Sequence, residues 1–129
     1  MGAFTIDAEF ASIRMPQRFF PVPRMLVDSG SEYSWIPEEL LRAAGIRPEK
    51  KDLEFLMANG QTITRTIGFA IIRAGRFFTV DEIVFGQPGD LTLLGARTLE
   101  GFGARVDARL RRLVASGPHP AAVSPLVAV

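Results

Sequence analysis

The chain has no cysteine among its 129 residues, and this absence removes several kinds of chemistry at once. Disulfides, zinc sites with thiolate ligands and thiol nucleophiles all need the cysteine sulfur. Because thiol-free chains are compatible with a reducing compartment, we expect a cytoplasmic protein. The single histidine, His119, stands in a proline-rich segment without other metal-ligating residues and is assigned to a solvated loop. We therefore predict no metal and no organic cofactor.

An excess of charge of one sign and long apolar runs are lacking as well. The 15 basic and 14 acidic residues give a formal net charge of +1, so no overall field favours nucleic acid or an anionic membrane. No apolar run is long enough to span a bilayer, and residues 1–10 do not have the basic-then-apolar order of a signal peptide. We predict neither a nucleic-acid partner nor a membrane partner for this chain.

Much of the chain alternates apolar and polar residues with a period of two, which indicates β-strands. Prolines before residue 24 predict a turn or a sheet edge there, because proline cannot donate to an interior ladder. One helix is predicted over 37–44, followed by Gly45, and a shorter one after Gly95 that stops at Gly101. The predicted strands cover residues 4–10, 24–28, 53–57, 62–67, 69–73, 76–83, 91–94 and 105–111.

The length of the chain suffices for one core, so the domain organisation is simple. We predict one all-β domain over residues 1–115. Residues 116–129 contain three prolines and small residues, which predicts a flexible or interface-forming tail. Within that tail, residues 126–129 could add an edge strand.

The most informative segment is residues 28–37, which follow the apolar run 25–27 and read Asp-Ser-Gly-Ser-Glu-Tyr-Ser-Trp-Ile-Pro. A strand that ends at this point delivers a carboxylate, a hydroxyl and a glycine together. Asp-Ser-Gly alone is ordinary turn chemistry, so it does not indicate catalysis without further signals.

Two more segments supply those signals. Residues 58–61, Ala-Asn-Gly-Gln, lie between two predicted strands, and Asn-Gly is a strong hairpin signal. Residues 93–95 read Leu-Leu-Gly and are followed by Leu99. With these three segments in this order, the chain resembles the retropepsin-like, single-lobe aspartic proteases, relatives of the retroviral and pepsin enzymes, over about residues 4–113.

The resemblance implies a mostly antiparallel closed β-barrel of the acid-protease type with one or two short helices. It makes Asp28 the catalytic residue, and it implies a bridge from the hydroxyl at position 29 to a partner loop and a hydrogen bond from the hydroxyl at position 31 to Asp28. The residues implied to support the active-site loop are Ser29, Gly30, Ser31, Leu94 and Gly95. The residues implied to contact substrate, from a flap and a pocket, are Trp35, Met57, Ala58, Asn59 and Gly60.

The motif occurs only once, and this count predicts how the protein assembles. Aspartic proteases activate a water molecule between two facing carboxylates that share one proton. One chain supplies one such carboxylate, so two chains must combine. We expect a homodimeric aspartic endopeptidase whose flaps pair with an extended peptide or protein substrate as an added strand.

Two features depart from the relatives. The flap segment has no tyrosine, since the only tyrosine is Tyr33, so Trp35 cannot bond to a flap tyrosine as it does in pepsins. Retroviral enzymes pair an acid after the motif with an arginine after the supporting glycine. Here the candidates are Glu32 and Arg97, and their spacing is off by one residue, which disfavours the ion pair.

Other functions remain open. A non-catalytic dimerisation or peptide-binding module would keep the fold while its Asp28 loops lie too far apart to share a proton. An RNA-associated β-barrel would use the arginines of 105–112, although their alternation with other residues favours a solvated strand face. Trp35 is first of all a large core residue, with a pocket wall as its secondary role.

Overall fold

The computed structural model describes residues 3–122 of the chain, and the edge strand expected over 126–129 lies outside this range. The fold is mostly β, as predicted, and no helix of the described residues is long and apolar enough to cross a membrane. The elements within this range, in chain order, are β1 (Thr5–Ala11), β2 (Phe20–Val27), β3 (Ser34–Pro37), α1 (Glu38–Ala43), β4 (Lys50–Leu56), β5 (Thr62–Ala74), β6 (Phe77–Gly86), β7 (Leu93–Leu94), α2 (Ala96–Phe102), β8 (Ala104–Asp107) and β9 (Arg112–Ala115).

Seven of these strands form one sheet in the order β1-β2-β7-β3-β6-β5-β4, and β1 also pairs with β5. The pairs β2–β7 and β3–β6 are parallel and the other pairs are antiparallel, so the sheet is mixed. The parallel register of Val27 with Leu94 has a direct consequence for the site. It places the residues that follow, Asp28 and Gly95, side by side where the two strands end.

Two apolar clusters stabilise this arrangement. The larger one packs against one side of the sheet and includes Phe10, Met25 and Phe85, all fully buried. The smaller one contains Trp35 and Leu93 and lies between β3 and the hairpin β4–β5. The sheet therefore has its hydrophobic core on one side and a separate apolar contact under the hairpin on the other.

The predicted helix over 37–44 is confirmed as α1. Pro37 caps its amino end, two glutamates lie in the first turn, and Leu41 is fully buried. Gly45 ends the segment with φ 81°, a left-handed conformation that glycine adopts without steric cost.

The second helix corrects the sequence prediction, because α2 continues through Gly101 and ends at Phe102, with Gly103 as its cap. Gly103 has φ 66° and closes the helix in the left-handed conformation. At position 101, a Cβ would collide with the side chain of Thr79, so that glycine serves close packing rather than chain termination.

Several strand predictions also change. The strands predicted over 62–67 and 69–73 are one continuous strand, β5, and β3 was not predicted as a strand. β2 begins at Phe20 rather than at residue 24, and Pro21 and Pro23 fit because this half of the strand pairs with β1 alone. The single strand predicted over 105–111 is instead the start of the hairpin β8–β9. It turns at 108–111, where the carboxylate of Asp107 accepts a hydrogen bond from the backbone N–H of Leu110.

Candidate active site

Asp28 lies directly after β2 and is half-buried, while the next two residues are exposed. Its backbone N–H donates to the carbonyl of Leu94 at 2.9 Å, which continues the parallel pairing of β2 with β7. Its own carbonyl accepts from the N–H of Ser31 at 3.1 Å, closing a tight turn. The backbone on both sides of the carboxylate is thus held by hydrogen bonds.

The carboxylate itself is held on one side only. Its Oδ1 accepts the N–H of Gly30 at 3.0 Å, and within residues 3–122 its Oδ2 accepts no hydrogen bond. A Cβ at position 30 would lie 3.2 Å from this Oδ1, so glycine gives the loop a close approach to the acid. The hydroxyl of Ser31, expected to bond to the outer oxygen, does not do so in the described chain. Oδ2 is therefore free to meet a water molecule or a second acid.

Gly95 holds the loop from behind. A Cβ here would overlap the carbonyl oxygen of Tyr33 and lie 2.9 Å from that of Ser31. The two backbone amides after it donate to the loop, from Ala96 to the carbonyl of Ser31 at 2.7 Å and from Arg97 to that of Glu32 at 3.0 Å. Leu94 and Gly95 thus both contact the Asp28 loop, and their supporting role stays a prediction. Only glycine allows the two segments to touch.

The ion pair that the spacing disfavours is present. The guanidinium of Arg97 donates twice to Glu32 Oε2, at 3.0 and 2.8 Å, and once to Glu82 at 3.0 Å. It also lies 4.2 Å from the centre of the Tyr33 ring. The hydrogen bonds that Arg97 donates to Glu32 raise the pKa of Arg97. The additional residue, Ala96, is accommodated because the first turn of α2 brings position 97 back to the loop.

Sequence reasoning missed a buried chain of polar groups behind the loop. The backbone N–H of Gly95 donates to Ser34 Oγ at 2.9 Å, and this oxygen lies 2.5 Å from Thr98 Oγ1. Thr98 in turn donates to Asp81 Oδ2 at 2.8 Å. Ser34 and Thr98 are fully buried. The available signal was a serine at the start of an otherwise apolar strand, three residues after Ser31.

The predicted flap is the hairpin β4–β5, which carries Met57, Ala58, Asn59 and Gly60 at its tip. Gly60 has φ 87°, and the side chain of Asn59 accepts the N–H of Gln61 at 2.9 Å. The tip is apolar and exposed, since Leu56 is 78% and Met57 40% accessible to solvent. Its hydrogen bonds join residues within the turn.

The base of this hairpin is fixed by aromatic contacts. Phe55 lies 5.1 Å from Trp35 and 5.5 Å from Tyr33, measured between ring centres. Trp35 is buried in the smaller apolar cluster. It therefore connects the strand after the active-site loop to the base of the flap. This contact agrees with the core role expected for Trp35 and leaves its pocket role as a prediction.

A partly buried ion pair, also missed in the sequence, fixes the same base. Arg65 on β5 donates to both oxygens of Asp90 at 2.7 and 2.8 Å, and both side chains are less than one fifth exposed. Asp90 Oδ2 also accepts the N–H of Gln87 at 2.7 Å. The hydrogen bonds from Arg65 hold the pKa of Asp90 below its usual range. The pair ties the flap strand to the turn before β7.

Two cavities of the described chain lie away from Asp28. Cavities of about 180 and 390 Å³ lie near Ser12 and Arg73 respectively, and Asp28 borders neither. Within residues 3–122, histidine and acidic side chains do not gather into a group of three that could hold a metal ion. The exposed Asp28 loop of a single chain thus has no enclosing cleft of its own among these cavities.

Comparison with known families gives one clear match. Residues 21–101 match the family model described as "gag-polyprotein putative aspartyl protease". The matched range includes the Asp28 loop, the hairpin β4–β5, Gly95 and most of α2. A search of curated proteins gave no match.

Proposed function

Because the chain belongs to the gag-polyprotein aspartyl protease family, we propose that it is an aspartic endopeptidase that works as a homodimer. Each chain contributes one Asp28 to a shared site. The observation that carries this proposal is the state of the Asp28 carboxylate, with one oxygen held by Gly30 and the other without a hydrogen-bond donor from the described residues. An acid fixed on one side and open on the other is suited to act on water.

The proposed reaction uses the two carboxylates in different roles. When two carboxylates face each other in contact, ionising both is electrostatically unfavourable, so the pair holds one proton. The ionised Asp28 takes a proton from a water molecule while the protonated Asp28 donates to the scissile carbonyl oxygen. Water adds to the carbonyl carbon and forms a tetrahedral diol. Proton transfer to the leaving amine then breaks the carbon–nitrogen bond without a covalent enzyme intermediate.

The shape of one chain supports the dimer. Ser29 and Gly30 are exposed at the tip of the loop, where a second copy could approach. Glycine at position 30 removes the side chain that would keep two such loops apart. A two-fold axis at this point would join the same surface of both chains and form a cleft between them. The Ser29 hydroxyl would then bridge to the partner loop.

The flap supports an extended peptide as substrate. Its exposed apolar tip, Leu56 and Met57, would gain a contact when the hairpin closes over a bound chain. Backbone groups at the tip, from Ala58 to Gly60, would pair with the peptide as with an added strand. Trp35 packs against Phe55 at the base of the hairpin, and the two rings would form part of the wall of the site.

Further proposals concern the architecture and location. The pairing of β1 with both β2 and β5 supports a sheet closed into a barrel. β9 ends at Ala115, which supports a domain over residues 1–115 followed by a tail. A cytoplasmic location rests on the absence of cysteine alone.

The test compares Asp28→Asn with wild type in cleavage of unfolded protein and extended peptides. Asn keeps the size of the side chain but cannot exchange the proton, so we expect the rate to fall roughly a thousandfold or more. Asp52→Asn is the matched control, because Asp52 is exposed and its φ of 57° suits asparagine equally well. Its rate should equal that of wild type.

Circular dichroism and the thermal midpoint should show that Asp28→Asn remains folded. Equal cleavage rates for Asp28→Asn and wild type would end the protease assignment. A wild-type protein that binds extended peptides without cutting them would instead indicate the non-catalytic module. Salt-sensitive RNA binding that is lost on replacing Arg105 and Arg109 would indicate the RNA-associated alternative.

A further inference from the structure

The buried polar chain behind the active-site loop has a defined direction. A backbone N–H can only donate, so Ser34 Oγ accepts from Gly95. A carboxylate can only accept, so the Thr98 hydroxyl uses its proton on Asp81. In the contact between the two hydroxyls, the remaining proton is that of Ser34, which donates to Thr98. Every hydrogen bond in the chain therefore points toward Asp81.

Asp81 sets this direction because it is the only member that cannot donate. Its carboxylate is itself fixed, since Oδ1 accepts the N–H of Glu82 at 2.7 Å while Oδ2 accepts from Thr98. With the direction reversed, the Ser34 proton would have no acceptor in a place without solvent. An unsatisfied buried donor is costly, so one arrangement is strongly preferred.

The other end of the chain is Gly95, the residue that touches the back of the Asp28 loop. The next two amides, of Ala96 and Arg97, hold the carbonyls of Ser31 and Glu32. Whatever fixes Gly95 and the first turn of α2 therefore fixes these amides relative to the loop. Thr98 lies in that same turn, and its hydrogen bond to Asp81 connects the turn to β6.

We propose that Asp81, acting through Thr98 and Ser34, is a positioning residue that holds the Asp28 loop in its catalytic geometry. This inference rests on the proposed protease function. Asp81 lies on β6, outside the three motif segments, and its carboxylate does not contact Asp28. Its effect on catalysis is therefore indirect and should change the rate of the chemical step more than substrate affinity.

Two variants at position 98 give the sharpest test. Thr98→Val keeps the volume and removes the hydroxyl, whereas Thr98→Ser keeps the hydroxyl and removes a methyl group. We expect Thr98→Val to lower kcat about tenfold with little change in KM, because small displacements of a catalytic group are costly. Thr98→Ser should restore kcat to near the wild-type value. A packing role for the methyl group would give the opposite order.

Asp81→Asn tests the anchor itself. An amide has one accepting oxygen, so in either orientation it presents an NH₂ group to Thr98 or to the Glu82 N–H. At least one of the two present hydrogen bonds is lost or reversed. We expect kcat to fall as in Thr98→Val, with KM near that of wild type.

Hydrogen exchange of the Gly95 amide separates this inference from the protease assignment. Both Thr98→Val and Asp81→Asn disturb the hydrogen bonds that orient the Ser34 hydroxyl, which accepts the Gly95 N–H. Exchange at Gly95 should therefore speed up about tenfold or more in these two variants, but not in Thr98→Ser, with amides of β5 as internal reference. Unchanged Gly95 exchange in the first two variants would overturn the inference, as would equal kcat in Thr98→Val and wild type. If wild type proves inactive on all peptides, the protease assignment fails, and Gly95 exchange still decides whether this chain fixes the loop.

Discussion

The Asp28 loop and the flap tip are built in opposite ways. Around the loop, hydrogen bonds with β7 and α2 hold the backbone on several sides, and the buried polar chain leading to Asp81 holds Gly95 behind it. The tip, residues 57–61, has hydrogen bonds only within its own turn among the described residues, and its apolar side chains face solvent. The aromatic contacts and the Arg65–Asp90 pair fix the base of the same hairpin but not its tip.

This difference matches what the two regions are proposed to do. A catalytic carboxylate must be held within a fraction of an ångström, which needs a rigid support. A flap must open for substrate and close over it, which needs a segment of low local stability on a fixed base. Substitutions behind the loop should therefore affect folding and catalysis together. Substitutions at the flap tip should affect substrate binding alone.

Gly95→Ala should have the largest effect. The added Cβ would overlap the carbonyl of Tyr33 and approach that of Ser31, and backbone atoms cannot move aside as a flexible side chain can. We expect a loss of about 3 kcal/mol in the free energy of unfolding, measured by urea denaturation, and loss of cleavage.

Gly30→Ala is its comparison. Here the nearest atom to the added Cβ is Asp28 Oδ1 at 3.2 Å, and the position is exposed. We expect stability within about 1 kcal/mol of wild type, but reduced activity, because the methyl group lies where the partner loop would approach. Equal stability of the two alanine variants would show that the rear of the loop is not constrained as described.

Asp90→Asn should have an intermediate effect, at the base of the flap. In the wild type, Arg65 lowers the pKa of Asp90 in the folded protein. The contribution of the ionised Asp90 to the free energy of unfolding is therefore complete above the unfolded pKa of about 3.9 and is lost as the pH falls through the folded value. We expect a loss of about 2 kcal/mol at pH 7. The difference from wild type should shrink at pH 3, and urea denaturation at both pH values would measure it. An equal difference at both would contradict the role of the charge.

Leu56→Ser should have the smallest effect on stability, within about 0.5 kcal/mol, because this side chain is already exposed. We expect KM for a long peptide to rise several-fold, since closure loses an apolar contact. Leu110→Ser, on the turn between β8 and β9, is the control, because Leu110 is 55% exposed and its hairpin forms a two-stranded sheet separate from that of the flap. A change in KM for both variants would indicate a general effect of surface hydrophobicity.

Local signals in the sequence predicted the elements whose ends are marked by proline, glycine or Asn-Gly, or whose residues alternate clearly. Pro37 and Gly45 marked α1, Asn59-Gly60 marked the flap turn, and the alternation of residues 4–10 marked β1. Each of these depends on backbone preferences that a few adjacent residues determine. The placement of Asp28 beside Leu94 followed from resemblance, because strand pairing across more than 60 residues leaves no local trace.

Features that depend on close contact between distant segments were not predictable. Gly101 is read as a helix stop until Thr79 is known to lie against it. The pairing of Arg97 with Glu32 depends on the rotation of the first turn of α2, which the count of residues alone does not give. The partners Arg65 and Asp90, and the group from Ser34 to Asp81, are brought together by the sheet order.

The central claim is that two Asp28 side chains from two chains form one site, and mixed dimers test it most directly. Wild type and Asp28→Asn are unfolded together in varying ratios at constant total concentration, refolded, and assayed for peptide cleavage. If both acids are required, activity follows the square of the wild-type fraction, so an equal mixture keeps about one quarter of the wild-type activity under random pairing. Activity that falls in direct proportion, to about one half, would show that each chain works with its own acid and would contradict the account.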